Sequence, residues 1–474
     1  MNFKSKGSVF TKSGGNFLKT IFVDETIEFA SILVGLYIFS FTAYLVQTIM
    51  IKFNMHVFGR AIMHVVQHVV MIAMVVGVTY YTVNFRGYNV SLVFRYAIGC
   101  EILVIYMKMV SYLGTNHYLW TLSRLQKDHE GSGSHDGSGD ETGATPKRSL
   151  SKIFGRKSVV KAYQLLSREQ IEKLTHQEVC SLLVNRGIDV ERFDQHIDGH
   201  VVPESPRASE PAARKLLTDL VELDEFRRTA YPGNITFWNF VEYTILPVVV
   251  YEPKYPRTSH VNWANVVERL VGCFGCILFM WAMIENFVIP RIMDLNRNSG
   301  EIADVMMDMM IPLQLFVIGI FYVTFECILG ANAELARLAD REFYADWWNS
   351  TSFEEFSRKW NKPVHEFLLR HVHMETQVTL GLSRGVSTIV TFIYSIIAHE
   401  ILLLNTVGIF RPYLAFLSLF QIPLWPLMRS HLFTNRLLGN IFFWASLMIA
   451  WPLMTVLYCR DYCKEDPRNC RIDL

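Results

Sequence analysis

The chain has 474 residues, and its 45 Lys+Arg against 44 Asp+Glu leave a formal net charge of +1. With 51% hydrophobic and 19% charged residues and a mean hydropathy of +0.22, it is too apolar for a disordered chain. It has no basic excess to neutralise a phosphate backbone, so nucleic acid is excluded as its main partner. Eight Cys in this length make no disulfide scaffold.

The apolar content points to lipid as the solvent. A bilayer span needs about 20 consecutive mostly apolar residues. In chain order the runs that qualify are 27–50, 60–83, 92–113, 263–286, 303–330, 385–409, 411–428 and 437–458. The expected fold is an all-α integral membrane protein, a multi-span helical bundle of about eight spans. The first run is too long and too far in for a secretory signal, and no small-residue cleavage site follows it.

The expected organisation is an N-terminal tail (1–26), first membrane helices (27–120), a polar excursion (121–234), a membrane core (235–458) and a C-terminal tail (459–474). Within the excursion, the Gly/Ser/Asp tract 131–146 buries nothing and reads as flexible linker. The excursion is rich in Lys and Arg, and the loop 331–370 adds Arg337, Arg341, Arg358, Lys359, Lys362 and Arg370. Two spans separate these segments, so both belong on the cytosolic side. The C-terminal tail is then lumenal, where an oxidising compartment permits a disulfide among Cys459, Cys463 and Cys470. Parity over eight spans also makes the N-terminus lumenal, against the preference of Lys4, Lys6, Lys12 and Lys19.

Several local patterns imitate chemistry. Gly381 to Gly385 spells GxSxG, but a nucleophile elbow needs a strand upstream, and none is patterned here. His399-Glu400 starts HExxH, but Leu403 stands where the second His belongs. Cys273 and Cys276 have redox spacing, yet lie beside Gly272 and Gly275 in a span, where small residues serve packing. No metal site is expected. Ionisable residues inside spans weigh more, because lipid makes them costly. Glu101 and Lys108 sit two turns apart on one face, placed to pair. His399 lies mid-span with apolar residues on both sides. Such an imidazole is either a hydrogen-bonded structural residue or a general base near neutral pH. Ser395, one turn before it, shares its face. Glu400 points about 100° away and is expected to anchor the helix to a neighbour.

The loop before this span reads FYADWWN, Phe343 to Asn349, too polar for a span and unusually aromatic. Followed by an intramembrane His, it closely resembles the sterol and diacylglycerol acyltransferase branch of the membrane-bound O-acyltransferases. YPGNITFWNF (Tyr231 to Phe240), VYEPKYPRT (Val250 to Thr258), RPYLAFLSLFQIPLW (Arg411 to Trp425) and LLGNIFFW (Leu437 to Trp444) extend the resemblance. It implies an endoplasmic reticulum enzyme that transfers a fatty acyl group from acyl-CoA, its co-substrate, to a lipid hydroxyl. No other cofactor is implied, and a homodimer or homotetramer is.

By the same resemblance, His399 is the catalytic base and Asn349 lines the reaction centre. Ser395 contacts the CoA arm. Tyr344, Asp346, Trp347 and Trp348 belong to the substrate-binding segment, with the two Trp walling the cytosolic mouth. Arg358, beside Lys359, is a candidate for CoA phosphates. NSTSF after the motif, YPRTSHVNW and GCFGC resemble the sterol branch and its fungal members in particular, whereas LFQIPLW with Gln421 looks closer to the diacylglycerol branch. The expected activity is acyl-CoA:sterol O-acyl transfer, with diacylglycerol as the alternative acceptor. A transporter using Glu101, Lys108 and His399, or a hydrolase using Ser383, are the rival classes. Relatives have nine spans, and residues 16–50 match the second of them, so the first is expected to be absent.

Overall fold

A computed structural model describes residues 26–84, 92–132, 231–298, 302–422, 424 and 435–465. Among them all regular structure is helical, and an isolated antiparallel bridge joins Arg257 to Leu338. Lipid offers backbone groups no hydrogen-bond partner, so apolar runs must close their own bonds as helices.

Helices α1 (Thr26–Lys52), α2 (Val57–Asn84) and α3 (Leu92–Ser132) cover the first three runs. With 41 residues, α3 is about 60 Å long. It continues well past Trp120, where composition placed the start of the polar excursion. Residues 133–230, which hold the rest of the Gly/Ser tract, lie outside the described residues. The short α4 (Phe237–Ile245) precedes α5 (Trp263–Met283), which passes through a π turn (Ile284–Val288) into α6 (Ile289–Asn298). Helix α7 (Ile302–Phe321) runs through a second π turn (Tyr322–Leu329) into α8 (Gly330–Leu335).

The loop segment follows, with α9 (Phe353–Trp360), α10 (Lys362–Leu368), a third π turn (Leu369–Met374) and α11 (Glu375–Thr379). The His399 helix is α12 (Arg384–Val407), then come α13 (Tyr413–Leu419) and α14 (Arg436–Glu465). Among the described residues, 7 helices are long and apolar enough to cross a membrane, one for each expected run except 411–428. There the chain forms only the 7-residue α13, and residues 425–428 lie outside the described set.

The chain forms two compact units. One comprises residues 116–240 and 252–256, where Asn234 donates to Asn116 Oδ1 (2.6 Å) and Asn239 donates to the Pro253 carbonyl (2.9 Å). The other comprises 1–115, 241–251 and 257–474, and holds the His399 helix and the FYADWWN loop. In it α7 lies along α14, burying Val305, Met309, Leu313 and Val456 with Val288. Pro312 and Pro452 fall inside α7 and α14, which spans tolerate when neighbours re-satisfy the backbone.

Glu101 and Lys108 are not each other's hydrogen-bond partners. Lys108 donates to the carbonyls of Tyr243, Thr244 and Leu246 at 2.9, 2.8 and 2.7 Å. A buried ammonium there satisfies orphan carbonyls at the C-terminal end of α4, where the helix dipole also favours a cation. Glu101 bonds the Tyr37 hydroxyl instead.

Candidate active site

His399 sits on an exposed part of α12, and its Nδ1 lies 2.7 Å from the Ser395 carbonyl one turn earlier. A carbonyl only accepts, so Nδ1 carries the proton, and in the neutral ring Nε2 keeps its lone pair. At 100° per residue the exposed positions of α12 fall on two faces. Val386, Ile389, Ile393 and Ile397 form an apolar stripe suited to lipid. Thr388 and His399, with the half-buried Ser395, form a second open face roughly 140° away. A polar imidazole facing hydrocarbon is costly, so this second face is less suited to lipid than the apolar stripe. Glu400 is buried and accepts from the Ala415 N–H at 2.7 Å, which pins α13 against α12 as the sequence geometry required.

The FYADWWN segment is built differently. Trp347 is 3% exposed and packs its ring against Phe321, Phe356, Trp360 and Trp444 at 4.8–6.0 Å. It is a core residue, not a wall of the mouth. Trp348 is 43% exposed and meets the Tyr344 ring at 6.3 Å, while its carbonyl accepts from Asn440 (2.9 Å) and from the Trp444 indole (3.1 Å). Tyr344 donates to Glu326, which Arg269 also holds. Burial and the Glu326 charge push the Tyr344 hydroxyl up to about 12. Asp346 pairs with Lys359 at 2.8 Å, and Lys359 with Glu355 at 2.7 Å. The Lys359 hydrogen bond holds the Asp346 carboxyl below its usual range, and Asp346 with Glu355 raises the Lys359 ammonium. Asn349 closes the 3₁₀ turn Trp347–Asn349, with its amide on the Asp346 carbonyl (3.1 Å) and its side chain on the Asp346 carboxylate.

These two sets are not joined by hydrogen bonds. Helix α12 packs against α2, α3, α11, α13 and the π turn Leu369–Met374, while the FYADWWN turn rests on α9 and α14. Helix α14 shows why. Near its start Asn440 and Trp444 hold the FYADWWN turn. Near its end Asp461 holds Arg411 (3.2 Å) and Tyr413 (2.5 Å), in the connector that follows α12. These anchor points lie about 30 Å apart along α14, and His399 is about 12 Å from the connector end of α12.

Arg358 forms an exposed pair with Glu354 at 3.3 Å, so it is not a preformed phosphate site. Gln421 is half-buried beyond α13. Ser383 is the N-cap of α12, its hydroxyl accepting from the Val386 N–H at 3.4 Å, and no strand precedes it among the described residues, so the elbow reading fails. Cys276 contacts the Gly319 carbonyl, and no metal-binding cluster occurs among the described residues. Of the cysteines expected to form a disulfide, Cys459 is free, and Cys470 lies outside the described residues.

Sequence reasoning missed His371. Its Nε2 meets the Ser111 hydroxyl at 2.7 Å, and that oxygen accepts from the Tyr251 N–H at 2.8 Å. Its ring edge lies against Gly114, where a Cβ would come within 3.2 Å of Nδ1. Removal from water and the neighbouring Arg370 charge lower its imidazole to about 4, so it is neutral at physiological pH. It also missed Glu326, which the rule about charges near lipid would have flagged.

Residues 152–460 match the sequence model of the membrane-bound O-acyltransferase family. The chain belongs to the membrane-bound O-acyltransferase family. As a member of it, this multi-pass helical chain is 36% identical over 240 residues to a probable sterol O-acyltransferase 1 of Schizosaccharomyces pombe, covering 49% of this chain and 45% of that protein. It is 28% identical over 366 residues to sterol O-acyltransferase 2 of Candida albicans, covering 75% and 56%. It is also 32% identical over 241 residues to diacylglycerol O-acyltransferase 1-2 of Oryza sativa subsp. japonica, covering 48% and 50%. The chain thus spans about half the length of the curated relatives it matches.

Proposed function

We propose that this chain is an acyl-CoA:sterol O-acyltransferase of the endoplasmic reticulum membrane that makes steryl esters, with His399 as general base. One observation carries the base. The Ser395 carbonyl fixes the proton on Nδ1 and leaves Nε2 as the acceptor, on an open face of a membrane helix. In the proposed reaction Nε2 takes the sterol hydroxyl proton as that oxygen attacks the thioester carbonyl carbon. The carbon–sulfur bond then breaks, and the departing CoA thiolate takes the proton back from the imidazolium. A thioester is already activated, so the enzyme's task is to orient and deprotonate a weakly acidic alcohol. Asn349, whose side chain bonds the Asp346 carboxylate, is proposed to line the same reaction centre. The names of the fungal relatives favour a sterol acceptor, and the rice relative favours the alternative, diacylglycerol. A homo-oligomer is part of the same proposal.

The test is microsomal turnover of labelled oleoyl-CoA, in a host without its own steryl and diacylglycerol acyltransferases, offered ergosterol, cholesterol or diacylglycerol. The expected product is steryl ester, reduced on the order of 10²–10⁴-fold by His399→Ala, the usual contribution of a positioned base. Triacylglycerol instead of steryl ester moves the protein to the sister branch, and undiminished turnover in His399→Ala refutes the base.

A further inference from the structure

The C-terminal end of α12 is held by a buried polar clamp. Asn405, 0% exposed, accepts at Oδ1 from the Thr82 hydroxyl (2.6 Å). Its Nδ2 donates to the Thr79 hydroxyl (2.8 Å) and the Ile401 carbonyl (3.2 Å). Its own carbonyl accepts from Arg95 Nε at 3.1 Å. Thr79, Thr82 and Arg95 are themselves buried. The Asn405 amide therefore has a partner at its oxygen and at both nitrogen hydrogens, the single Thr82 hydroxyl hydrogen being shared between Asn405 and the Val78 and Thr79 carbonyls of its own helix.

Two glycines let the helices approach. A Cβ on Gly99 of α3 would come within 2.8 Å of Leu402 and 3.2 Å of the Asn405 Cβ. Gly408, left-handed at φ +83°, caps α12, and the Arg95 guanidinium fills the space a side chain there would need. Thr79 and Thr82 lie near the end of α2 and Arg95 near the start of α3, so two spans from the first part of the chain grip one end of the His399 helix.

Apolar packing alone lets a membrane helix slide or rotate, because lipid tails and side chains are about equally apolar. A fully satisfied amide in a directional network does not. Asn405 is about 9 Å along the axis from His399 and on a different face, so it does not reach the reacting atoms. We infer that Asn405, with Thr79 and Thr82, is a positioning residue that fixes the rotation and depth of α12, and thereby the direction of His399 Nε2. The inference rests on His399 being the base.

The clamp makes a distinct kinetic prediction. A misplacement of about 1 Å costs on the order of 100-fold in rate, whereas acyl-CoA binding does not require the proton acceptor to be aligned. Wild type, His399→Ala, Asn405→Ala, Thr79→Val and Thr82→Val are purified in detergent. Each is measured for kcat, for acyl-CoA Kd by equilibrium binding of a non-hydrolysable thioether analogue, and for thermal unfolding. The expected result is kcat reduced at least about tenfold in Asn405→Ala and less in either Thr→Val variant, with Kd within twofold. The milder Thr variants carry the test if Asn405→Ala does not fold. Well-folded Thr variants with wild-type kcat, or kcat and binding falling together, overturn the inference. Full activity in His399→Ala refutes the base itself, separately from the clamp.

Discussion

The FYADWWN segment and the His399 helix are held by opposite means. The segment is a plug of rings: Trp347 is surrounded by Phe321, Phe356, Trp360 and Trp444, with Tyr344 and Lys359 tied to carboxylates around it. Helix α12 keeps one open face around His399 and is secured by Asn405 beyond it, Glu400 beside it and Ser383 at its start. Aromatic burial is strong and tolerant of direction, which suits a scaffold. Hydrogen bonds are individually modest but directional, which suits aiming a single nitrogen. The difference teaches that the most recognisable segment of the sequence is densely packed, while the proposed base sits on an exposed helix face.

Four substitutions sharpen that comparison, beyond the kinetic tests above. The largest effect on stability is expected at Trp347. Trp347→Ala removes a buried ring and leaves a cavity, costing about 3–5 kcal/mol, whereas Trp348→Ala, half-exposed, costs about 1 kcal/mol or less. Thermal unfolding in detergent separates them, and equal losses would break the view of Trp347 as the keystone.

The next concerns pH. His371 binds a proton at about 4 in the fold but near 6.5 when unfolded, so between those values the unfolded state holds more protons. Stability is fully present above about 6.5 and falls as pH drops toward 4. One pKa unit is worth about 1.4 kcal/mol, so the loss is on the order of 3 kcal/mol across the window. His371→Gln, which still bonds Ser111, is expected to flatten that slope in unfolding scans from pH 7 to 4. An unchanged slope refutes this role.

The smallest effect belongs to the α12 start. Ser383→Ala removes an N-cap worth about 1 kcal/mol and is expected to lower the melting temperature slightly with unchanged kcat. A large kcat loss there would revive the hydrolase reading.

Much of this architecture is legible in the amino-acid sequence. Apolar run length fixes where helices cross, because a backbone in lipid must bond to itself. Helical arithmetic alone separated Glu400 from His399 and put Ser395 on the same face. The FYADWWN string pointed to the family that residues 152–460 match.

What escaped the sequence was every decision made across the chain. Lys108 was matched to Glu101 because both lie on one helix, yet its partners are carbonyls at least 135 positions away. Asn405 reads as one more polar residue near a span end until Thr79 and Thr82, more than 320 positions earlier, arrive beside it. Asn349 and His399 fall fifty residues apart in sequence, and only the tertiary structure shows that they rest on different supports, the FYADWWN turn on α9 and α14 and His399 on α12. The sequence by itself determined the membrane helices, the signature and the likeness to a family, since those depend on local periodicity and composition. Tertiary packing alone decided which polar atoms meet, because a hydrogen bond needs partners within about 3 Å and no local pattern encodes that distance.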